Sequence, residues 1–448
     1  MFTRRQFIRL TLSGIAASPL AGRLADPFAY AEMPVSPRGT AKTCIFIFMI
    51  GGPSQLETWD AKEGPWTPAN LDIRSYPGGL NLSYTLFPML SRNVNDLVVL
   101  RSLQAWEAIH PRATYYLQTS YPETPSLAQH LPSLGAVVSY ESENSRNRGD
   151  ILPSFISIGA GDVLSLSSGF LPARYAPFKL PFEIQSNGIA NLRTPRDARG
   201  LADRVGLLRS LEAASPLSLG KTMDNAADTS VWAHALLSSN ADDIIRFDPS
   251  ESERYGSNFF GDQCLLAKNI IKADKGTRFL ALFHGNWDNH WGLFDSSNPE
   301  NVFVLAREFD TALGNLIEDL RSLPALGPGG GTALDSTLIV AIGDFGRTPG
   351  ALNNIGGRDH YRYVQVALMA GGGTRGPKAI GTTDEVGGSI LDYGWSEQRP
   401  LRMEDVTATI YSALGINWTK TILTPLGWNY EYVRSALAGA YKPIEEVF

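Results

Sequence analysis

Residues 338–360, LIVAIGDFGRTPGALNNIGGRDH, decide the fold that this sequence predicts. The segment opens with five apolar residues and a glycine, a pattern typical of a parallel strand covered on both faces. Asp344 follows at the carboxyl end of this strand, where open α/β sheets bind their ligands. Arg347, Asp359 and His360 come next on a loop rich in Gly and Asn, and these groups suit metal and oxyanion binding. A strand followed by an ordinary solvated loop would show the same local pattern.

The same order of apolar strand, polar loop and helix recurs along the chain. Apolar runs predict strands at 44–50, 97–101, 155–158, 278–283, 338–342 and 363–370, and periodic runs predict helices at 134–140, 298–320 and 404–414. This alternation predicts an α/β fold, a mostly parallel sheet with helices on both faces. Between about 180 and 258, leucines at helical spacing alternate with polar clusters, which predicts a largely helical insertion.

The loop after the first predicted strand offers a candidate nucleophile. The glycine pair and the proline at 51–53 predict a turn and then the start of a helix. Ser54 would lie in the first helical turn, where backbone N–H groups and the helix dipole favour an anion and lower the pKa of a hydroxyl. Ordinary helix-start chemistry also favours Ser at such a position. Glu57 and Asp60 follow closely enough to face the same pocket.

A second polar pair follows the strand predicted at 278–283. Asp288 and His290 lie on the loop just after it, as Asp344 does after its own strand. Because the carboxyl ends of parallel strands meet at one edge of a sheet, we expect Ser54, Asp288, His290, Asp344 and His360 to converge there.

His130, His234 and both cysteines are interpreted as structural. A long loop carrying His110 is predicted after the strand at 97–101. His130 and His234 stand alone in the sequence. Cys44 lies in an apolar strand and Cys264 in a helical pattern, which favours two buried thiols over a disulfide. Two cysteines are too few for a thiolate zinc site.

The first 31 residues have the organisation of an export signal. Arg4 and Arg5 precede an apolar stretch too short to span a bilayer, and Ala29-Tyr30-Ala31 fits a cleavage site. The run TRRQFI favours the twin-arginine pathway, with an ordinary secretory signal as the alternative. The twin-arginine export machinery is then an expected partner, and the expected location is periplasmic or extracellular. A Pro- and Ser-rich tether is predicted at 32–41.

Charge and hydropathy limit the remaining possibilities. The chain carries a formal net charge of −6 without a basic stripe, so nucleic acid is not an expected partner. No later segment has the length and apolarity of a membrane span. We expect the α/β domain to occupy 42–435 and a C-terminal tail to occupy 436–448.

Several sequence blocks in order resemble the domain of unknown function 1501 family. The match runs from about Thr43 to Trp428, and its blocks are GGPSQLETWD (51–60), RSLQAWEAIHPR (101–112), PSLGAVVSY (132–140), SGFLPARY (168–175), WDNH (287–290), GDFGRTP (343–349), GRDH (357–360) and IGTTDE (380–385). That family consists of exported bacterial proteins and is placed in the alkaline phosphatase and sulfatase superfamily. The resemblance therefore implies an alkaline phosphatase-like fold and a metal-dependent hydrolase.

The resemblance also implies roles for particular residues. Superfamily members carry a nucleophilic hydroxyl, an Asp/His pair, a late Asp and a final His, an order followed by Ser54, Asp288 with His290, Asp344 and His360. The glycines at 51–52 stand where the superfamily has a first-strand Asp, and Phe345 stands where a second His would follow. The sequence is therefore expected to hold one metal ion or none.

Two hypotheses of function follow. In the first, the protein hydrolyses phosphate or sulfate esters of a small molecule or a glycan, with a divalent zinc, calcium or manganese ion as cofactor. Ser54 would attack and Arg347 or Arg358 would hold the ester oxygens. The predicted metal ligands are Asp60, Asp288, His290, Asp344, Asp359 and His360. In the second hypothesis, the protein is a non-catalytic periplasmic binding protein on a decayed hydrolase fold.

Overall fold

A computed structural model describes residues 29–159, 166–180, 241–326 and 330–448, together with the isolated helical positions 203, 207 and 210. Its strands are β1 Ala29–Ala31, β2 Thr43–Met49, β3 Ile73–Tyr76, β4 Leu80–Ser83, β5 Leu97–Leu103, β6 Phe155–Ile158, β7 Phe178–Leu180, β8 Phe279–His284, β9 Thr337–Gly343, β10 Gly346–Arg347, β11 His360–Tyr361, β12 Gln365–Ala370, β13 Lys378–Ile380, β14 Thr382–Thr383, β15 Ile390–Asp392, β16 Thr421–Leu423 and β17 Asn429–Glu431. Its α-helices are α1 Pro88–Arg92, α2 His110–Thr119, α3 Leu134–Ser142, α4 Ala241–Ile245, α5 Pro249–Arg254, α6 Phe259–Ala273, α7 Val302–Ser322 and α8 Met403–Ala413.

Eight strands form one large sheet in the order β13-β5-β12-β9-β2-β8-β6-β7. Only β12 among them is antiparallel to its two neighbours, β5 and β9, so the sheet is mostly parallel. In the centre, Met49 of β2 pairs with His284 of β8 and with Gly343 of β9. The three central strands therefore end level with one another, and the loops that follow them leave the sheet at one edge.

The central strands bury both of their faces. Along β2, Ile45 and Ile47 face one hydrophobic core, whereas Cys44 and Phe46 face a second core on the other side of the sheet. Helices α6 and α7 pack into the first core, and α3 and α8 pack into the second. The prediction of a mostly parallel sheet with helices on both faces is therefore confirmed. Cys44 and Cys264 are free, buried thiols, also as predicted.

Three local predictions are wrong. No helix begins at Pro53, because the Gln55 side chain bonds the backbone of residues 347 and 387 and residues 55–60 form turns. The segment with His110 is not a long loop but the start of α2. The helix predicted from residue 298 begins at Val302, because the Asn301 side chain accepts hydrogen bonds from the two N–H groups at positions 303 and 304.

The outer segments are described in part. The tether predicted at 32–41 runs along the domain, where Thr40 Oγ1 donates to the Gly372 carbonyl and Arg38 pairs with Glu445. Within the tail predicted at 436–448, the terminal 3₁₀ turn Glu445–Val447 buries Val447 in the second core. The segment predicted to be a signal peptide lies outside the described residues except for β1, which pairs with β16.

The predicted helical insertion lies mostly outside the described residues, and His234 with it. Of this region, the structure describes Leu180 at the end of β7, the three isolated positions, and the short helices α4 and α5 with the residues that follow them. None of the helices in the described ranges combines the length and the apolar composition that a bilayer crossing needs.

Candidate metal centre

The loops after β2, β8 and β9 pack tightly together at the edge of the sheet. Gly51 and Gly52 adopt φ values of 102° and 73°, which side chains rarely tolerate. A Cβ atom at position 51 would lie 2.5 Å from the backbone nitrogen of Asp288, and one at position 52 would lie 2.6 Å from the Phe345 carbonyl oxygen. This approach leaves no room for a side chain at positions 51 and 52, so a carboxylate does not fit at either position.

Three of the chain's six histidines converge on one carboxylate oxygen. The Nε2 atoms of His110, His290 and His360 lie 3.3, 3.1 and 3.3 Å from Asp288 Oδ1. The Nε2 atoms of His290 and His360 are only 3.0 Å apart. The ligand atoms of His110, Asp288 and His360 all lie within 4.8 Å of one another. The four residues are called the His₃Asp cluster below.

Each imidazole of the His₃Asp cluster is held at its other nitrogen by an acceptor. His110 Nδ1 lies 2.5 Å from Asp344 Oδ2, and His290 Nδ1 lies 2.7 Å from Asp359 Oδ1. His360 Nδ1 lies 2.8 Å from the carbonyl oxygen of Ala108. A carbonyl or an ionised carboxylate can only accept, so we assign the proton of each ring to Nδ1. The Nε2 lone pairs then point toward the Asp288 oxygen, which is the arrangement of metal-ligating histidines and their supporting acceptors.

The electrostatics keep the carboxylate of the cluster ionised. Burial opposes ionisation of Asp288, but the hydrogen bond and charge of Arg347 outweigh it and lower the pKa of Asp288 to about 2. Burial would lower the pKa of His110, yet Asp344 and Asp288 outweigh it and raise that pKa. The pKa of His360 is lowered, mainly by burial and despite its hydrogen bond to a carbonyl. A metal ion binds neutral imidazole beside ionised carboxylate, so it would displace the proton that the raised pKa of His110 favours.

The donor set fits a cation of a particular kind. Lone pairs of two neutral imidazoles 3.0 Å apart repel unless a proton or a cation lies between them. Three imidazole nitrogens and one carboxylate oxygen suit zinc and similar transition metals. Calcium prefers six to eight oxygen ligands, which these four side chains do not supply.

Two predicted ligands support the cluster instead of joining it directly. Asp344 is buried, and its Oδ2 also accepts from the Gly51 N–H at 3.0 Å. Thr114 Oγ1 lies 3.4 Å from its other oxygen. Asp359 is exposed, and its bond to His290 lowers its pKa. Both carboxylates therefore orient imidazole rings.

The guanidinium of Arg347 is fully engaged in hydrogen bonds within the chain. Its guanidinium donates to the carbonyl oxygens of Gly52 at 2.9 Å and Arg358 at 3.0 Å, and also contacts the Gly51 carbonyl and Asp288 Oδ1. Only 1% of the residue is exposed. Arg347 thus fastens the loop after β2 to the loop after β9 and supplies the positive charge beside Asp288.

Arg358 and Glu57 form a separate buried ion pair. The guanidinium bonds both Glu57 oxygens at 2.9–3.2 Å and the carbonyl oxygens of Thr348 and Gly350 at 2.8 and 2.7 Å. Both side chains are buried. Glu57, which the sequence places close to the pocket of Ser54, is therefore engaged with Arg358.

Asp60 and Ser54 lie outside the His₃Asp cluster. Buried Asp60 pairs with Arg101 Nε at 3.2 Å and Lys62 Nζ at 3.4 Å, and burial raises its pKa. The Ser54 hydroxyl is buried and has no hydrogen-bond partner among the described residues. It faces a small cavity whose described lining includes Arg347 and the Arg358–Glu57 pair but none of the three imidazoles.

His110 belongs to the cluster, although it was not predicted as a site residue from the sequence. A usable signal was present, because His110 follows β5, a strand parallel to the central three, and Pro111 in the next position favours the first turn of a helix. The segment predicted as a long loop is instead the start of α2, which begins at the edge of the sheet where the other predicted ligands lie.

Three solved structures are similar to the chain. A protein in the alkaline phosphatase superfamily from Vibrio parahaemolyticus is 12% identical, with a TM-score of 0.38, over 85% of this chain and 69% of its own. The lipoteichoic acid synthase LtaP from Listeria monocytogenes is 11% identical, with a TM-score of 0.37, over 92% and 95%. The C-terminal periplasmic domain of EcEptC from Escherichia coli, solved with Zn, is 11% identical, with a TM-score of 0.35, over 87% and 86%. Likenesses at TM-scores below 0.5 support no assignment of an activity.

No curated protein matches the sequence. Residues 41–439 match the family described as Protein of unknown function (DUF1501), and this range covers the central sheet, most of both cores and the His₃Asp cluster. The resemblance seen in the sequence blocks is thereby confirmed, and the chain belongs to the DUF1501 family.

Proposed function

We propose that the protein is an exported, metal-dependent hydrolase of phosphate or sulfate esters, with His110, Asp288, His290 and His360 as its metal ligands. One observation carries this proposal. Three Nε2 atoms converge within 3.3 Å of Asp288 Oδ1 while each Nδ1 is held by an acceptor. Arg347 already bonds Asp288, but three lone pairs directed at one carboxylate oxygen still repel one another and that oxygen unless protons or a further cation lie among them, and a metal ion fits this place.

Of the three ions expected from the sequence, zinc suits the donors best, and one ion suits the space. When bound, it would polarise an ester oxygen and lower the pKa of a coordinated water. The crowding at Gly51 argues against a carboxylate that could help to hold a second ion.

The chain's own residues supply orientation, charge and access. Asp344 and Asp359 fix two imidazole rings, and Arg347 keeps Asp288 ionised. Asp288 is partly exposed, so an ester could reach the cluster from solvent. Ser54 stays a predicted nucleophile, supported by its unpartnered hydroxyl and by the presence of Arg347 beside both its cavity and Asp288.

The rival proposal, a metal-binding protein without catalysis, is favoured by one feature. Arg347 and Arg358, the two residues predicted to hold ester oxygens, already bond backbone carbonyls and buried carboxylates. An enzyme with this cluster would therefore bind the ester mainly through the cation.

Metal analysis and ester hydrolysis on the same untagged preparation test the proposal. We expect about one zinc per chain, and chelator-sensitive hydrolysis of p-nitrophenyl phosphate or p-nitrophenyl sulfate. His110→Ala should lose zinc and activity together. His130→Ala, which removes an exposed histidine outside the cluster, is the matched control. A folded wild-type protein that does not take up zinc would refute the metal centre, and zinc binding without hydrolysis of either ester would favour the rival.

A further inference from the structure

Large apolar side chains lie exposed in the segments that carry or hold the residues of the His₃Asp cluster. Five side chains, called the apolar rim below, are between 46% and 59% exposed: Trp106, Ile109, Trp291, Ile355 and Tyr363. Single exposed apolar residues are ordinary on protein surfaces. These five, however, are nearly half of the twelve exposed large apolar side chains among the described residues, and they lie in the segments that build one site. Such a concentration marks a binding surface.

Backbone hydrogen bonds join the segments of the apolar rim to one another and to the cluster. Trp106 and Ile109 flank Ala108, whose carbonyl holds His360. The Ala105 N–H donates to the Arg362 carbonyl at 3.0 Å, which brings the segment of Trp106 beside that of Tyr363.

The other half of the rim is joined in the same way. Trp291 directly follows His290 and forms a bridge with Gly356. The Gly292 N–H donates to the Ile355 carbonyl at 3.1 Å, and Asn353 Nδ2 donates to the His290 carbonyl at 2.9 Å. The apolar rim is therefore fixed in position relative to the imidazoles.

We infer that the apolar rim binds the body of the substrate, and that this body is a glycan whose ester group reaches the His₃Asp cluster. The inference rests on the proposed function, because the cluster supplies the reason for an anionic ester to be bound here. Indole and phenol rings offer flat apolar faces with a polar edge, which suit the C–H face of a sugar ring and its hydroxyl groups.

The spacing of the rim favours sugar rings over an acyl chain. The apolar side chains stand on separate segments, and polar residues adjoin them in the sequence: Glu107, Asn354 and Arg362. An acyl chain gains most from a continuous apolar surface, whereas a glycan alternates apolar ring faces with hydroxyl groups that need hydrogen-bond partners.

Affinity electrophoresis of the zinc-loaded full chain tests the inference, with dextran sulfate, uncharged dextran, or vesicles of phosphatidylglycerol as probes. The net charge of −6 opposes unspecific attraction to a polyanion, so retention by dextran sulfate requires a fitted site. We expect dextran sulfate to retain the protein more strongly than dextran does. Trp106→Ala and Trp291→Ala should each weaken this retention roughly fivefold, the size expected for one aromatic contact.

The matched control is Leu426→Ala, which removes an exposed leucine on the turn between β16 and β17 and should retain wild-type binding. Zinc content and p-nitrophenyl ester hydrolysis are measured on every variant. Three results with zinc-loaded, active protein would overturn the glycan inference alone: no retention by dextran sulfate, binding to the vesicles instead, or equal retention of all variants. A chain that takes up no zinc would overturn the proposed function and this inference together.

Discussion

Asp344→Asn is the substitution that most directly tests how the His₃Asp cluster is supported. The sequence predicted a metal ion as the partner of this acid, and the structure gives it His110 Nδ1 at 2.5 Å and the Gly51 N–H at 3.0 Å. The amide keeps one acceptor oxygen and nearly the same shape, so both hydrogen bonds can persist. What it removes is the negative charge that orients the His110 ring and raises its basicity.

The expected magnitude follows from these contacts. Replacing a charge-assisted bond by a neutral one costs about 1 kcal/mol of stability in the metal-free protein. Loss of an acceptor that supports a ligating imidazole lowers metal affinity roughly 10- to 100-fold, or about 1.4–2.7 kcal/mol. At saturating zinc the stabilisation by binding falls by the same amount. With an unfolding entropy of about 2.1 cal/mol/K per residue, a chain of this length should lose a further 1.5–3 °C or so in Tm.

The assay is a zinc titration against a chromophoric chelator, joined to calorimetric melting curves with zinc and with chelator. Asp359→Asn is the matched comparison, because it removes the equivalent but exposed partner of His290, and its effect on affinity should be smaller. If Asp344→Asn binds zinc within twofold of wild type, and its Tm deficit is the same with and without zinc, then Asp344 does not support a metal ligand and the cluster has been misread.

Three further predictions concern buried charges and export. Glu57→Gln should destabilise the protein by about 3–5 kcal/mol in denaturant melts, because it leaves Arg358 buried without its anion. Adding Arg358→Met should recover part of this loss of stability. A double variant no more stable than Glu57→Gln alone would contradict the prediction. Burial raises the pKa of Asp310 from 3.8 to about 6, so the folded chain keeps a proton that the unfolded chain releases, and stability should fall by about 3 kcal/mol as pH rises through that window. Asp310→Asn should flatten the slope, and an unchanged pH profile would count against the buried acid. Replacing Arg4 and Arg5 by lysine should leave the protein in the cytoplasm in fractionation experiments, whereas unchanged export would exclude the twin-arginine pathway.

The central strands could be predicted from the sequence because burial on both faces leaves a continuous apolar run. The strands at 44–50, 155–158 and 338–342 were placed within one residue of their observed ends. Local signals failed where long-range hydrogen bonds decide the backbone. The Gln55 side chain, which binds the loops at 347 and 387, replaces the helix that Pro53 suggested, and nothing near Gln55 in the sequence indicates those partners.

The candidate site could be predicted in part for the same reason. Asp288 and His290 follow the end of β8, and His360 ends the loop after β9. Because ligands gather at one edge of a parallel sheet, these three residues could be predicted to lie together. Which nitrogen faces the centre, and which carboxylate holds a ring instead of a metal ion, depends on side-chain directions that spacing does not encode. Arg347 looked like an oxyanion holder because its sequence context does not reveal the carbonyls that surround it.

The ligands of the His₃Asp cluster are far apart along the chain, and this separation has a consequence for how the protein is built. An ion held between them would act as a non-covalent cross-link that closes loops of roughly 180 residues, from His110 to Asp288, and roughly 70 residues, from His290 to His360. The unfolded chain has no preformed site, and no fragment that lacks either end can assemble one. An ion could therefore bind at the cluster only after the whole sheet has formed. A protein exported with its ion in place would already be folded.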